Sequence, residues 1–222
     1  MKKLPLSSFD RELLSRYGLD SHFFDKAVRL SFLRGESLSR EGEQLDYIYF
    51  VVSGKAKVFI SLSSGKQLLL AYFTSKGLIG DIELMTNKPV NYTTVRAVTD
   101  FVCIALPLSI YADELKKNNA FVNYVAEELA EKLTQRVING AITTLQPLEA
   151  RLCAYITQTA VGGIFRETLT EVAGVVGTSY RHLLRCLDKL CVKEILKKER
   201  SGYKIINQIL LDETAGDLYV LK

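Results

Sequence analysis

From about Phe32 to Pro107 the chain runs in short apolar stretches separated by turn residues, without a long helical period. Tyr47-Ile48-Tyr49-Phe50-Val51-Val52 ends at Ser53-Gly54, after which Ala56, Val58 and Ile60 alternate with Lys55, Lys57 and Ser61. A run and an alternation of this kind predict strands, the second of them half-buried. Ser63 to Lys66 predicts a turn, and Gln67 to Thr74, Tyr92 to Ala97 and Phe101 to Leu106 predict further strands rich in Tyr, Thr, Val and Phe. Their regular spacing is that of an antiparallel double-sheet domain, a sandwich or jelly roll.

After Pro107 the period changes. Leu108 to Leu145 contains no proline and a single glycine, Gly140, and its apolar residues recur at helical steps. One long helix is predicted. Val122, Val125, Leu129, Leu133, Val137 and Ala141 form one stripe, while Tyr124, Ala130, Ile138, Ile142 and Leu145 lie on other sides. Two faces therefore need cover: one can pack on the β-domain, and the stripe is expected to meet its own copy across a two-fold axis. The plainer alternative, a core helix of a monomer, fits less well with so many turns. Gln146-Pro147 ends the helix, because proline disfavours helix in the residue before it and suits the first turn of the next. Leu148 to Thr159 is read as the first helix of a second domain, followed by the loop Val161-Gly162-Gly163.

Thr168-Leu169-Thr170-Glu171 has the spacing of a capping box, and Val172, Ala173, Val175 and Val176 supply a buried face behind it. Gly177-Thr178 makes a tight turn. Ser179 then caps a second helix running to about Lys193, buried through Leu183, Leu184, Leu187 and Leu190. A helix, a short glycine turn and a helix make a helix-turn-helix. The side of the second helix not taken by leucines carries Tyr180, Arg181, His182, Arg185 and Lys189. A basic face is common on solvated helices; what favours a nucleic-acid reader is the continuation. Glu194 to Lys198, a turn at Arg200-Ser201-Gly202 and Tyr203 to Ile206 predict a small hairpin, a wing carrying Lys198 and Arg200.

Charge sharpens this reading. The 222 residues hold 29 Lys and Arg against 25 Asp and Glu, a formal excess of +4, too small to define a polyanion partner. From Ser179 to Ile206, however, eight bases face three acids, so this segment alone exceeds the excess of the whole chain. Such localisation is expected of a phosphate-contacting module. A content of 48% hydrophobic and 24% charged residues is that of a globular protein, no apolar stretch reaches the roughly 20 residues of a membrane span, and the N-terminus lacks a secretion signal. A cytoplasmic location is expected. Cys103, Cys153, Cys186 and Cys191 are scattered and never form CxxC, so neither a disulfide scaffold nor a zinc site is signalled.

The order of parts resembles the cyclic-AMP receptor protein and fumarate-nitrate regulator (CRP/FNR) family of transcription regulators across nearly the whole chain after residue 20. Val52-Ser53-Gly54-Lys55-Ala56 is similar to the family's strand-glycine signature, and Gly80-Asp81-Ile82-Glu83-Leu84-Met85 to its short helix at the effector pocket. Val172 to Leu190 is similar to its DNA reader. Ile104-Ala105-Leu106-Pro107 and Ser179-Tyr180-Arg181-His182-Leu183-Leu184 resemble the YeiL branch. The resemblance implies an α+β protein with three parts. Residues 1–113 form an N-terminal double-stranded β-helix (jelly-roll, cyclic-nucleotide-binding-like) sensor domain; 114–146 form a dimerisation helix; 147–222 form a winged helix-turn-helix. It also implies a homodimer on a two-fold symmetric double-stranded DNA operator, contact with RNA polymerase, and a small-molecule effector of unidentified chemistry.

Family members that bind cyclic AMP hold its ribose with a glutamate and its phosphate with an Arg-Ser pair. Here those positions correspond to Asp81, Asn91 and Tyr92, so the planar cation is missing and Lys88 is a weak substitute. The adenine-contacting hydroxyls correspond to Arg136 and Val137. Cyclic-AMP binding of the usual kind is not expected. The pocket is expected around Gly80, Asp81, Ile82, Glu83, Leu84, Asn91, Tyr92 and Arg136. No N-terminal cysteine cluster is present for iron and sulfur, and the one histidine of the first half, His22, precedes the strands and is read as a surface residue, so haem is not supported either. Two histidines, His22 and His182, are too few for a metal-dependent jelly-roll enzyme. A sensor whose winged helix binds protein remains the competing reading. At the reader, Tyr180-Arg181 replaces the family's Arg-Glu while Arg185 is retained, so the family's half-site cannot be borrowed.

Overall fold

The computed structural model describes residues 1–61, 67–73, 77–88 and 90–216, with side chains described except at 61, 67–73 and 135–145. The turn predicted at Ser63 to Lys66 lies outside the described residues. Two compact units result, 1–60 with 70–135 and 61–69 with 136–222.

The first part of the chain is β1 (Lys2–Leu4), α1 (Ser8–Arg16), a single turn of tighter helix (Ser21–Phe24), β2 (Val28–Phe32), β3 (Ser37–Ser39), β4 (Tyr47–Ser53), β5 (Ala56–Ser61), β6 (Gln67–Phe73), β7 (Leu78–Ile79), α2 (Asp81–Met85), β8 (Thr94–Ala97) and β9 (Phe101–Pro107). Two sheets form, in the orders β1-β2-β9-β4-β7 and β3-β8-β5-β6. The registered pairs within them are antiparallel, as in β4 against β9, where Phe50 faces Ile104 and Val51 faces Cys103. This is the double-sheet domain the alternation predicts.

The continuous apolar run of β4 has a simple cause. Tyr49 and Val51 join Ala56, Val58, Val95 and Cys103 in a core between the sheets, while Ile48 and Phe50 point the other way into a second core with Leu14, Tyr111, Leu115 and Phe121. Strands buried on both faces do not alternate. The second core is built by helices: α1, which sequence reasoning missed, and α3 (Leu108–Lys117) and α4 (Asn119–Leu145). The Ser7 hydroxyl and Asp10 carboxylate cap the start of α1 reciprocally. Asp10 is fully buried and ion-paired with Arg29 on β2.

The single helix predicted over Leu108 to Leu145 is corrected to two. Asn118 breaks it, with extended backbone at ψ 102°. Its amide nitrogen donates to the Gly18 carbonyl at 2.8 Å and its side-chain oxygen accepts from the Phe121 amide at 3.1 Å. The residue thus ends one helix and caps the next, which lets both lie on the β-sheet.

The remaining elements are α5 (Leu148–Thr159), β10 (Ile164–Phe165), α6 (Leu169–Val175), α7 (Tyr180–Val192), β11 (Leu196–Glu199), β12 (Gly202–Ile205) and α8 (Gln208–Ala215). β10, β12 and β11 form a three-stranded antiparallel sheet in that order. Leu152, Tyr155 and Ile156 of α5, Val172 of α6, Leu187 of α7 and Leu211 of α8 are fully buried.

Candidate nucleic-acid interface and effector pocket

The turn between α6 and α7 follows from two local devices. Gly177 sits at φ +66°, where an L side chain is strained, and the Thr178 amide returns to the Ala173 carbonyl at 2.8 Å. Ser179 then caps α7, its hydroxyl accepting from the His182 amide at 3.2 Å. The box predicted at Thr168 is corrected: Thr168 occupies the cap position of α6 but its side chain makes no capping bond.

The buried stripe of α7 is Leu183, Cys186, Leu187 and Leu190, with Leu184 only half-buried. The opposite face presents Tyr180, 48% exposed, with exposed Arg181, His182, Arg185 and Lys189. Among the described residues, neither an ion pair nor a side-chain hydrogen bond engages Arg181, Arg185 or Lys189. Lys193 is different: its ammonium is tied to Glu149 on α5. It holds α7 in place and drops out of the free basic surface.

The wing forms as predicted, with Lys198 opposite Tyr203 and Lys197 opposite Lys204, and exposes Lys197, Lys198, Arg200 and Lys204. β10 was not foreseen. It pairs Phe165 with Tyr203 and passes so close to Gly202 that a Cβ there would lie 2.3 Å from the Phe165 carbonyl oxygen. Arg151 on α5 was also missed. Its guanidinium reaches the Gly177 turn, 3.2 Å from where a Cβ would stand, and its buried Nε has no partner. Nothing at spacing 151 to 177 signals such a contact in sequence.

The described residues of the predicted effector pocket are largely engaged with the chain itself. Gly80, at φ +94°, starts α2, and a Cβ there would stand 3.2 Å from both Leu45 Cδ1 and the Tyr47 carbonyl oxygen. Leu84 is core and Ile82 half-buried. Glu83 is buried and accepts from the Tyr92 amide at 2.9 Å. Asn91 is buried, donating its amide hydrogens to the Glu43 and Gln44 carbonyls at 2.9 and 3.1 Å. Tyr92 is 41% exposed. Arg136 and Val137 lie outside the described side chains.

Asp81 is held most firmly. Lys132 of α4 places Nζ 2.9 Å from Asp81 Oδ2, 2.8 Å from Glu128 Oε1 and 3.0 Å from the Leu78 carbonyl oxygen. Glu128 Oε1 in turn accepts from the Leu78 amide at 2.7 Å. The Asp81 and Glu128 side chains are only 5% and 11% exposed. Asp81 Oδ2 is thus bound by Lys132, and the Asn91 side-chain amide is committed to backbone carbonyls.

The stripe assigned to a dimer seam divides. Val125, 1% exposed, lies in the core of its own unit with Leu129 packed beside it, so the placement of Val125 in the seam is corrected: its face of α4 covers the β-sheet. Val122 is half-buried and Leu133 is 64% exposed. Val137 lies outside the described side chains.

Burial pushes the thiols of Cys103, Cys153 and Cys186 up, to about 12 at Cys153 and about 11 at Cys186. Cys191, partly exposed, is raised by burial as well. His22, exposed as read, pairs with Glu114 at 2.9 Å. No described helix is long and apolar enough to cross a membrane.

A β-domain of this topology followed by a winged helix-turn-helix defines a class of regulator, and comparison with known proteins agrees. The cyclic nucleotide-binding domain family matches residues 29–118. The regulatory protein YeiL of Escherichia coli O157:H7 is 29% identical over 187 residues, 84% of this chain and 85% of that one. A CRP-like cAMP-activated global transcriptional regulator of Mycobacterium tuberculosis is 26% identical over 214 residues, 90% of this chain and 87% of its own. Among solved structures, a regulator assigned to the CRP/FNR family from Eubacterium rectale superposes with TM-score 0.74 at 18% identity, over 95% of each chain. A CRP-family transcriptional regulator of Thermus thermophilus gives 0.68 at 18% identity, over 86% of this chain and 98% of that one. Over most of its length the chain is thus similar to CRP/FNR-type transcription regulators, the YeiL protein among them.

Proposed function

We propose that the protein is a cytoplasmic, sequence-specific DNA-binding transcription regulator that works as a homodimer. The observation that carries this reading is a concentration of exposed cations with no ion pair among the described residues: Arg181, Arg185 and Lys189 on α7, and Lys197, Lys198, Arg200 and Lys204 on the wing. A helix capped by Ser179 enters the major groove by its first turns, where arginine pairs bidentately with guanine O6 and N7. Arg181 and Arg185 are one helical turn apart and read bases. Tyr180 meets a phosphate or a thymine methyl, and His182 and the wing lysines contact the backbone. Two such heads meet a two-fold symmetric operator about 34 Å apart, and the bound dimer contacts RNA polymerase. Exposed Leu133, with half-buried Val122 and with Val137, supplies the seam between copies.

Binding to duplexes tests the assignment. Arg181→Ala and Arg185→Ala are expected each to weaken operator binding by about 1 to 3 kcal/mol and relax base preference, whereas Lys198→Ala weakens all sequences alike. Normal operator binding by both arginine variants would refute the placement of the reading helix. Affinity for random duplex that ignores ionic strength would favour the protein-binding reading of the winged helix instead. Leu133→Asp is expected to yield monomers on sedimentation, and intact dimers would remove Leu133 from the seam.

A further inference from the structure

We propose that Lys132 takes the place of a small-molecule effector: its ammonium, joining Asp81 to Glu128, locks α4 onto the β7–α2 segment and keeps the regulator competent for its operator without a nucleotide. The inference rests on the DNA-binding reading above and concerns how that activity is controlled.

The lock grips one residue from both sides. Leu78 gives its amide hydrogen to Glu128 at 2.7 Å and its carbonyl oxygen accepts from Lys132 at 3.0 Å. Glu128 and Lys132 are neighbours one turn apart on α4, so the helix holds the backbone of β7 as a paired strand would. The same ammonium closes on Asp81 at 2.9 Å, fastening the start of α2. Side-chain exposures of 20, 5 and 11% for Lys132, Asp81 and Glu128 keep water from competing.

Charge then decides which ligand is refused. Two carboxylates share one described ammonium, and Glu128 Oε2 is buried without a partner. Among the described residues the cluster thus holds two acids to one base, which disfavours a nucleotide phosphate beside it. Asp81 is held by Lys132 through Oδ2, which ties its carboxylate to α4. An effector shifts an equilibrium only through differential affinity for two arrangements, and a tethered side chain supplies that difference permanently. α4 runs on from the lock to Leu145, immediately before Pro147 and the winged-helix elements.

The experiment uses full-length protein unfolded and refolded to strip bound small molecules, with an operator selected from a random duplex pool. Wild type is expected to bind the operator equally with or without millimolar cyclic AMP or cyclic GMP. Lys132→Met, which leaves two buried acids facing each other, should lose about ten-fold or more in operator affinity, a typical coupling between sites. Its affinity for random duplex should stay unchanged, and Lys132→Arg should stay near wild type. Lys132→Met binding the operator as well as wild type would overturn the proposal. So would refolded wild type that binds only after a cyclic nucleotide is added, a measurement that needs no variant to fold. Loss of salt-dependent binding to any duplex, in wild type, would instead sink the DNA-binding reading.

Discussion

Gly54→Ala isolates how the β-domain is held together at the turn between β4 and β5. Gly54 has φ +95°, and a Cβ added there would stand 2.3 Å from the Asp100 carbonyl oxygen and 2.8 Å from Phe101 Cα, both backbone atoms. That backbone has little room to retreat: the Val98 amide bonds the Lys55 carbonyl at 2.7 Å, and the Lys55 amide bonds Thr99 Oγ1 at 3.0 Å. Gly35 provides the control, with φ +88° and nothing within 4 Å of its added Cβ. Both substitutions incur left-handed backbone strain of about 1 to 2 kcal/mol, partly offset by about 0.4 to 1 kcal/mol from a less flexible unfolded chain. Only Gly54→Ala adds overpacking, typically about 1 to 3 kcal/mol. The expected difference between the two variants is therefore about 1 to 3 kcal/mol, read from urea midpoints by tyrosine fluorescence, with similar slopes confirming a comparable transition. Equal midpoints for the two variants would refute the claim that close backbone approach, and not φ alone, requires glycine at 54.

Three other outcomes are expected. Ser179→Ala should destabilise the C-terminal unit by about 1 kcal/mol through loss of the cap bond to His182, whereas Thr168→Ala, which breaks no such bond, should stay within a few tenths in thermal unfolding. Burial raises the Asp10 carboxyl, but the bonds from Arg29 and Ser7 outweigh it and hold the group below its ordinary value of 3.8. Its contribution to stability is thus complete above that pH and is lost as pH falls through the lower folded value, so Asp10→Asn should flatten the acid limb of a stability profile. Of the four cysteines, Cys191 should be the one modified quickly by a thiol reagent in the native state; rapid labelling of Cys103 or Cys153 would contradict their burial.

What was legible in the sequence was whatever is decided within one or two turns of chain. The helix-turn-helix declared itself through Gly177, Ser179 and the leucine stripe of α7, and the wing through alternation about Ser201 and Gly202. α5 runs from Leu148 to Thr159, the bounds the proline and the apolar period set. β10 escaped because two residues carry no period, and it exists only because Gly202 admits the Phe165 carbonyl. α1 escaped for a different reason: its cap is local, but the burial of Asp10 depends on Arg29, two elements away.

The candidate control site was harder to read for the same physical reason. Asp81 could be placed in sequence at the mouth of the pocket, and Glu128 and Lys132 could be seen as an i,i+4 pair; that the three meet depends on which face of α4 the β-sheet claims. Val125 and Leu129 go into the core and Leu133, one turn later, stands in solvent, although periodicity gives all three the same stripe. Lys132 lies between them, at the point where α4 leaves its own core. Apolar packing is tolerant of a helix sliding or rotating by a fraction of a turn, whereas an ammonium seated among two carboxylates and a carbonyl is not. The buried ion cluster therefore fixes the face that this part of α4 turns to its own β-domain, at the point where Leu133 begins the exposed stretch.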